Sequence, residues 1–181
     1  MKKILFVILL LSGLTTQAQK IIQLDDLSVS DTLLNDKAII YGNFIQRLKF
    51  SSGGFPQDIR LKDTLTKNIY AFRVKPTFKS AKENLFCYYL PPGTYQLLNY
   101  WYTESKWYGG KVFTEGILST ANKPLFVTVK PNKIYYLGDW HFETTNHFFV
   151  DQKATCDSLL KKRNVALKLE TALTTLPTDS L

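Results

Sequence analysis

FCYYLPPGTYQLLNYWY, Phe86 to Tyr102, is the stretch that decides the fold. Pro91 and Pro92 fix φ and remove two backbone donors, so no strand runs through them. Gly93 follows at a point where a tight turn favours a permissive residue. On both sides lie Phe, Tyr, Leu and Trp, which suit a pleated, half-buried surface. The stretch therefore reads as strand, turn, strand.

The chain to either side extends this pattern. Ala38 to Leu48 (AIIYGNFIQRL) reads as a first strand, with Gly42 at a position that can mark a bulge. Residues 51–56 (SSGGFP) have loop composition. Ile69 to Val74 puts Tyr70, Phe72 and Val74 on one face and Ala71 and Arg73 on the other. Asn99 to Phe113 suggests two paired strands joined through the polar Thr103-Glu104-Ser105-Lys106, with a further break at Gly109-Gly110. Leu125, Val127 and Val129 alternate with Phe126, Thr128 and Lys130. In Ile134 to Glu143 the apolar set is Ile134, Tyr136, Trp140 and Phe142, with Gly138 between them. Tyr135, Leu137, Asp139, His141 and Glu143 take the other face. Asn146 to Val150 is a short last strand. Asp151 then stands as a helix N-cap, and Ala154 to Leu173 lacks both Gly and Pro, as a helix requires. The expected fold is an all-β antiparallel sandwich with a C-terminal α-helix. Residues 19–36 form a poorly ordered lead-in, 37–150 the β domain, 151–176 the helix and 177–181 a tail.

The first residues read as a leader rather than as fold. Lys2 and Lys3 precede an apolar run from Ile4 to Leu14, and small residues lead to Ala18. Such an order describes a secretory signal peptide over residues 1–18, cut near Ala18. The run is shorter than the roughly 20 residues of a spanning helix, and the expected mature chain has no transmembrane segment. The expected location is periplasmic or extracellular. Removing Lys2 and Lys3 takes the net charge from +8 to +6 and leaves 163 of 181 residues, enough for one domain with a real core. The remaining basic charge is scattered, with no Arg-rich block, so nucleic acid is not an expected partner. Cys87 and Cys156, in an oxidising compartment, are a possible disulfide; two buried free thiols are the alternative.

Leu90-Pro91-Pro92-Gly93-Thr94-Tyr95 resembles an element of prealbumin-like (transthyretin-like) sandwich modules, among them carboxypeptidase regulatory-like domains. Val129 to Asp139 (VKPNKIYYLGD) is similar to a segment of small exported bacterial domains of unknown function with that fold. The leader ending TTQAQ looks like those of Bacteroidota. The resemblance implies a prealbumin/Ig-like sandwich over about residues 38–150 and no transferable catalytic residue.

Few constellations carry chemistry. Asp139, His141 and Glu143 alternate along one strand, and His147 follows; carboxylate and imidazole groups spaced by two can meet a metal. The same pattern is the ordinary polar face of a half-buried strand. Cys87 with His141 is the remaining nucleophilic pair. No Gly-x-Ser-x-Gly element, phosphate loop or dinucleotide fingerprint occurs. Tyr100, Trp101, Tyr102, Trp107 and Tyr108 crowd around one loop. Since neighbours on a strand point to opposite faces, they do not all enter one core. The expected role is a non-catalytic, exported binding or envelope-associated module without a cofactor. Its partner is an envelope protein or a glycan. Carbohydrate binding through exposed aromatics is the first alternative, and a metal- or Cys-dependent hydrolase the lesser one.

Overall fold

The strands on either side of Pro91-Pro92-Gly93 lie in different sheets, so this turn is a corner and not a hairpin. The computed structural model describes residues 20–46, 57–75, 83–106, 109–142 and 147–180; of residues 75, 83 and 102–106 it describes the backbone. Elements follow in the order β1 (Ile21–Gln23), β2 (Ala38–Ile45), β3 (Gln57–Asp63), β4 (Ile69–Lys75), β5 (Glu83–Leu90), β6 (Gly93–Lys106), β7 (Gly109–Gly116), β8 (Leu125–Val129), β9 (Lys133–His141) and β10 (Phe148–Val150). Helix α1 (Lys153–Arg163), a 3-10 turn (Leu169–Thr171) and β11 (Leu173–Thr174) complete the chain. The expected leader, 1–18, lies outside the described residues.

Among the described residues the strands form two sheets. The larger runs β1-β4-β3-β6-β7, with β8 also on β6; the smaller runs β10-β9-β2-β5, with β11 also on β9. Both are mixed, which corrects the expected antiparallel arrangement. β1 runs parallel to β4, β2 to β9 and β11 to β9; the other strand pairs are antiparallel. The physical reason is the crossing of the corner. Because β5 leaves the smaller sheet at Pro91, the chain completes the larger sheet before β9 returns alongside β2, and it returns in the same direction.

The sheets share one core. Ile40, Phe44, Phe86 and Trp140 of the smaller sheet meet Ile59, Phe72, Leu97 and Tyr100 of the larger. The corner is held by Tyr95, whose hydroxyl donates to the Pro91 carbonyl at 2.6 Å. A buried tyrosine that bonds back to the backbone a few residues upstream fixes the path between two sheets. The faces expected of β4 and β8 are those seen: Tyr70, Phe72, Val74, Leu125, Val127 and Val129 are core, while Arg73 and Thr128 are exposed.

In β9 the expected faces are corrected. Tyr135, Leu137, Trp140 and Phe142 enter the inter-sheet core, whereas Ile134 and Tyr136 point to the other side. Three steps on β9, Tyr136 to Asp139, lie against two on β2, Tyr41 to Asn43. The extra residue is a bulge at Gly138, which sits at φ +99°, where a side chain is strained. A bulge breaks the period-two rule, so faces before and after it exchange. Gly42 stands opposite: a Cβ there would lie 2.5 Å from the Gly138 carbonyl oxygen.

Helix α1 covers the outer face of the smaller sheet. Its buried residues are Cys156 and Leu160, one turn apart, set against Ile39, Tyr41, Cys87 and Tyr136. It is shorter than the expected 151–176. Asn164 is extended; its side chain donates to the Ser28 carbonyl at 2.8 Å and accepts from Ala166 N–H at 3.1 Å. Beyond it Leu167, in irregular chain, and Leu169, at the start of the 3-10 turn, are buried. Asp151 does accept from Lys153 N–H at 3.0 Å, although Gln152 occupies the cap position.

The lead-in is also corrected. Leu24 and Leu27 are buried, and this segment seals the β4 and β5 edges. Leu24 N–H donates to Ala71 O at 2.8 Å, Leu27 N–H to Cys87 O at 3.2 Å, and Tyr89 N–H to Asp25 O at 3.2 Å. Apolar residues at 21, 22, 24 and 27 carried that signal. The tail ties in as well, since Thr178 exchanges two backbone bonds with Phe126 of β8, at 2.7 and 3.0 Å.

Candidate functional site

The outer face of the larger sheet carries the strongest cluster of ligand-competent side chains. Its origin is period-two alternation. On β3, Ile59 and Leu61 are core, so Asp58 and Arg60 point out; on β4, Phe72 and Val74 are core, so Arg73 points out. On β6, a bulge opposite Arg60 and Leu61 lets both Leu97 and Tyr100 turn inward, leaving Asn99 and Trp101 on the outer face.

The register sets these side chains in two rows across four strands. One row is Arg73, Asp58, Trp101 and Thr114; the next is Ala71, Arg60, Asn99 and Gly116. Side chains directly opposite on neighbouring strands stand about 4.5–5.5 Å apart at Cβ. Arg73 Nε lies 3.6 Å from Asp58 Oδ1. Burial pushes the Asp58 carboxyl up, and Arg73 and Arg60 pull it part of the way back. Asp58 Oδ1 and Asn99 Oδ1 are buried and accept no hydrogen bond. Ala71 and Gly116 add no bulk to the second row, so it is shallower than the first. Trp101 is half-buried. The result is an aromatic ring beside two guanidinium groups, a carboxylate and a carboxamide. That set can stack against a ring and offer both donors and acceptors to hydroxyl groups.

The expected aromatic group is dispersed. Tyr100 is a core residue; its hydroxyl donates to Glu115 Oε2 at 2.9 Å. Trp101 is on the outer face. Tyr102 is on β6 by backbone, and Trp107 and Tyr108 lie outside the described residues. Asp58, Arg60 and Asn99 were missed from sequence, since β3 (QDIRLKD) carries four charged residues and was not read as a strand. Ile59 and Leu61 alternating with charge was the available signal.

The expected metal ligands do not converge. Asp139 accepts from the Tyr136 hydroxyl at 2.9 Å under the helix. His141 stacks on Phe148 at 4.5 Å and 11°. His147 faces the inter-sheet core, 4.5 Å from the Phe142 ring and 5.5 Å from that of Tyr100, with Nε2 3.9 Å from Glu115 Oε2. Burial holds its pKa below the ordinary value, with Glu115 opposing. Glu143 lies outside the described residues. Among the described residues no three His, Cys, Asp or Glu side chains could share a metal ion.

Cys87 and Cys156 are free thiols in the cluster between the smaller sheet and α1. Burial pushes the Cys87 thiol up to about 12 and raises that of Cys156 also. Cys87 is level with Tyr41, and Tyr41 with Tyr136, so His141 is five residues further along β9 and forms no pair with it. The charges under α1 are compensated. Tyr41 donates to Asp157 at 2.5 Å, and Lys153 Nζ reaches the other Asp157 oxygen at 2.6 Å.

No family model matches the chain, and no curated protein matches it. Among solved structures it is similar to a leucine-rich repeat protein from Bacteroides thetaiotaomicron VPI-5482, with 13% identity and a TM-score of 0.39. The match covers 70% of this chain and 16% of that one, so the chain spans about a sixth of the length of the protein it matches. The expected membership of the prealbumin-like sandwiches is corrected: no family model of that kind matches the chain, and the sheets are mixed where an antiparallel sandwich was expected.

Proposed function

We propose that the protein is a non-catalytic, exported binding module that uses its two-sheet body as a rigid platform and presents the Trp101 face to a glycan. The observation that carries this reading is the half-buried Trp101 in the same row as Asp58 and Arg73, with Arg60 and Asn99 in the next. A flat aromatic beside fixed hydrogen-bonding groups suits a sugar, whose ring has an apolar face and whose hydroxyls both donate and accept. The order of residues 1–18 supports export to the periplasm or beyond, where glycans are abundant.

Glycan-array screening of the mature chain tests the proposal, with Trp101→Ala and Arg60→Ala alongside. Both variants are expected to lose at least tenfold in signal while keeping the parent's thermal unfolding. No glycan signal for the parent, or equal signal in all three, overturns it.

A further inference from the structure

We infer that β7 is a self-complementary edge through which two copies of this chain pair, antiparallel and about a twofold axis at Phe113. The two sides of the molecule differ. On one, the lead-in closes the edges: β1 lies on β4, and residues 25–27 bond to β5. On the other, β7 pairs with β6 alone among the described residues, and it is eight residues long and mostly exposed. A long, exposed edge is a template for another strand.

Backbone parity shows which groups that edge offers. Ile117 N–H donates to Leu98 O at 2.9 Å, directly opposite in the continued β6–β7 register. Hydrogen-bonded pairs then alternate, so Glu115, Phe113 and Lys111 turn their backbone groups toward β6. Gly110, Val112, Thr114 and Gly116 turn theirs to the open edge.

A twofold axis at Phe113 matches these groups to themselves. Val112 meets Thr114 of the second copy, and Gly110 meets its Gly116; both are pairs of edge-facing residues. The intervening pairs are Phe113 with Phe113, and Lys111 with Glu115, so each charge meets its opposite twice across the axis. Directly opposite charges support a pair and like charges oppose it. Val112 is an exposed apolar residue at 52%, and the two glycines leave the junction flat. Glu115 remains 43% exposed at its side chain while it holds Tyr100, so the second copy's lysine can reach it.

Sedimentation of the full mature chain over a wide concentration range tests the inference. The parent is expected to pass from monomer to dimer. Lys111→Glu alone places like charges opposite each other, as does Glu115→Lys alone, so each is expected to weaken self-association at least tenfold. An equal mixture of the two restores opposite charges at both positions and is expected to dimerise again. Val112→Pro, which removes an edge-facing donor and no bond to β6, is expected to be monomeric with its thermal unfolding retained. A parent that stays monomeric at the highest concentration overturns the inference. So does self-association unchanged in both charge variants, or a mixture no better than its components when each is folded by circular dichroism.

Discussion

Replacing Gly42 by alanine is the most direct challenge to the β9 bulge. The added Cβ would stand 2.5 Å from the Gly138 carbonyl oxygen and 2.6 Å from Phe86 Cζ. One obstacle is backbone at the bulge itself and the other is the ring of a core residue exposed by only 2%. Neither can swing into solvent, so the strain belongs at the upper end of the roughly 1–3 kcal/mol typical of overpacking. Alanine also restricts the unfolded chain, which offsets about 0.4–1 kcal/mol. The net loss is about 2–3 kcal/mol. For a domain of this size that lowers Tm by about 5–10 °C. Thermal and urea unfolding followed by circular dichroism measures it. Gly116→Ala is the control, since its Cβ would have only Leu98 O within reach, at 3.9 Å. A Gly42→Ala protein that melts within about 2 °C of the parent would refute the close crossing of β2 and β9, and with it the exchanged faces of β9.

Leu160→Ala removes the larger of the two buried contacts of α1 and is expected to cost about 2–5 kcal/mol in urea unfolding, whereas exposed Leu159→Ala costs little. His147 is held neutral by burial, its folded pKa below the ordinary 6.5. The unfolded chain therefore binds the proton first, and stability is expected to fall as pH drops below about 6.5. His147→Gln should flatten the profile between 6.5 and the lower folded pKa, and an unchanged slope there argues against the buried, neutral ring. With Cys87 pushed up to about 12 and Cys156 raised too, the native thiols should react with an alkylating reagent at pH 8 on the order of a thousandfold more slowly than in urea. Rapid native labelling would contradict their burial under α1.

Trp101 illustrates how far a sequence reads toward a site. That the clustered aromatics do not all enter one core was legible, because successive strand residues point to opposite faces. That Tyr100 is the core residue and Trp101 the surface one was not, because a bulge between Leu97 and Asn99 resets the alternation. The partners Asp58, Arg60 and Arg73 come from two other strands, and only the register sets them in rows with Trp101.

What the sequence determined by itself is local. Prolines without donors force the strand break at Pro91, alternation assigns the faces of β4 and β8, and Asp151 falls one residue from the helix cap. Those signals act within a few residues, where sterics and burial need no distant partner. The tertiary structure decided the rest: the parallel return of β9 beside β2, the exchange of faces at Gly138, the stop of α1 at Asn164 and the ordering of residues 20–27. Each depends on a hydrogen bond or contact between segments far apart in the chain. Asn164, for instance, stops the helix by bonding Ser28, and nothing near residue 164 announces that partner.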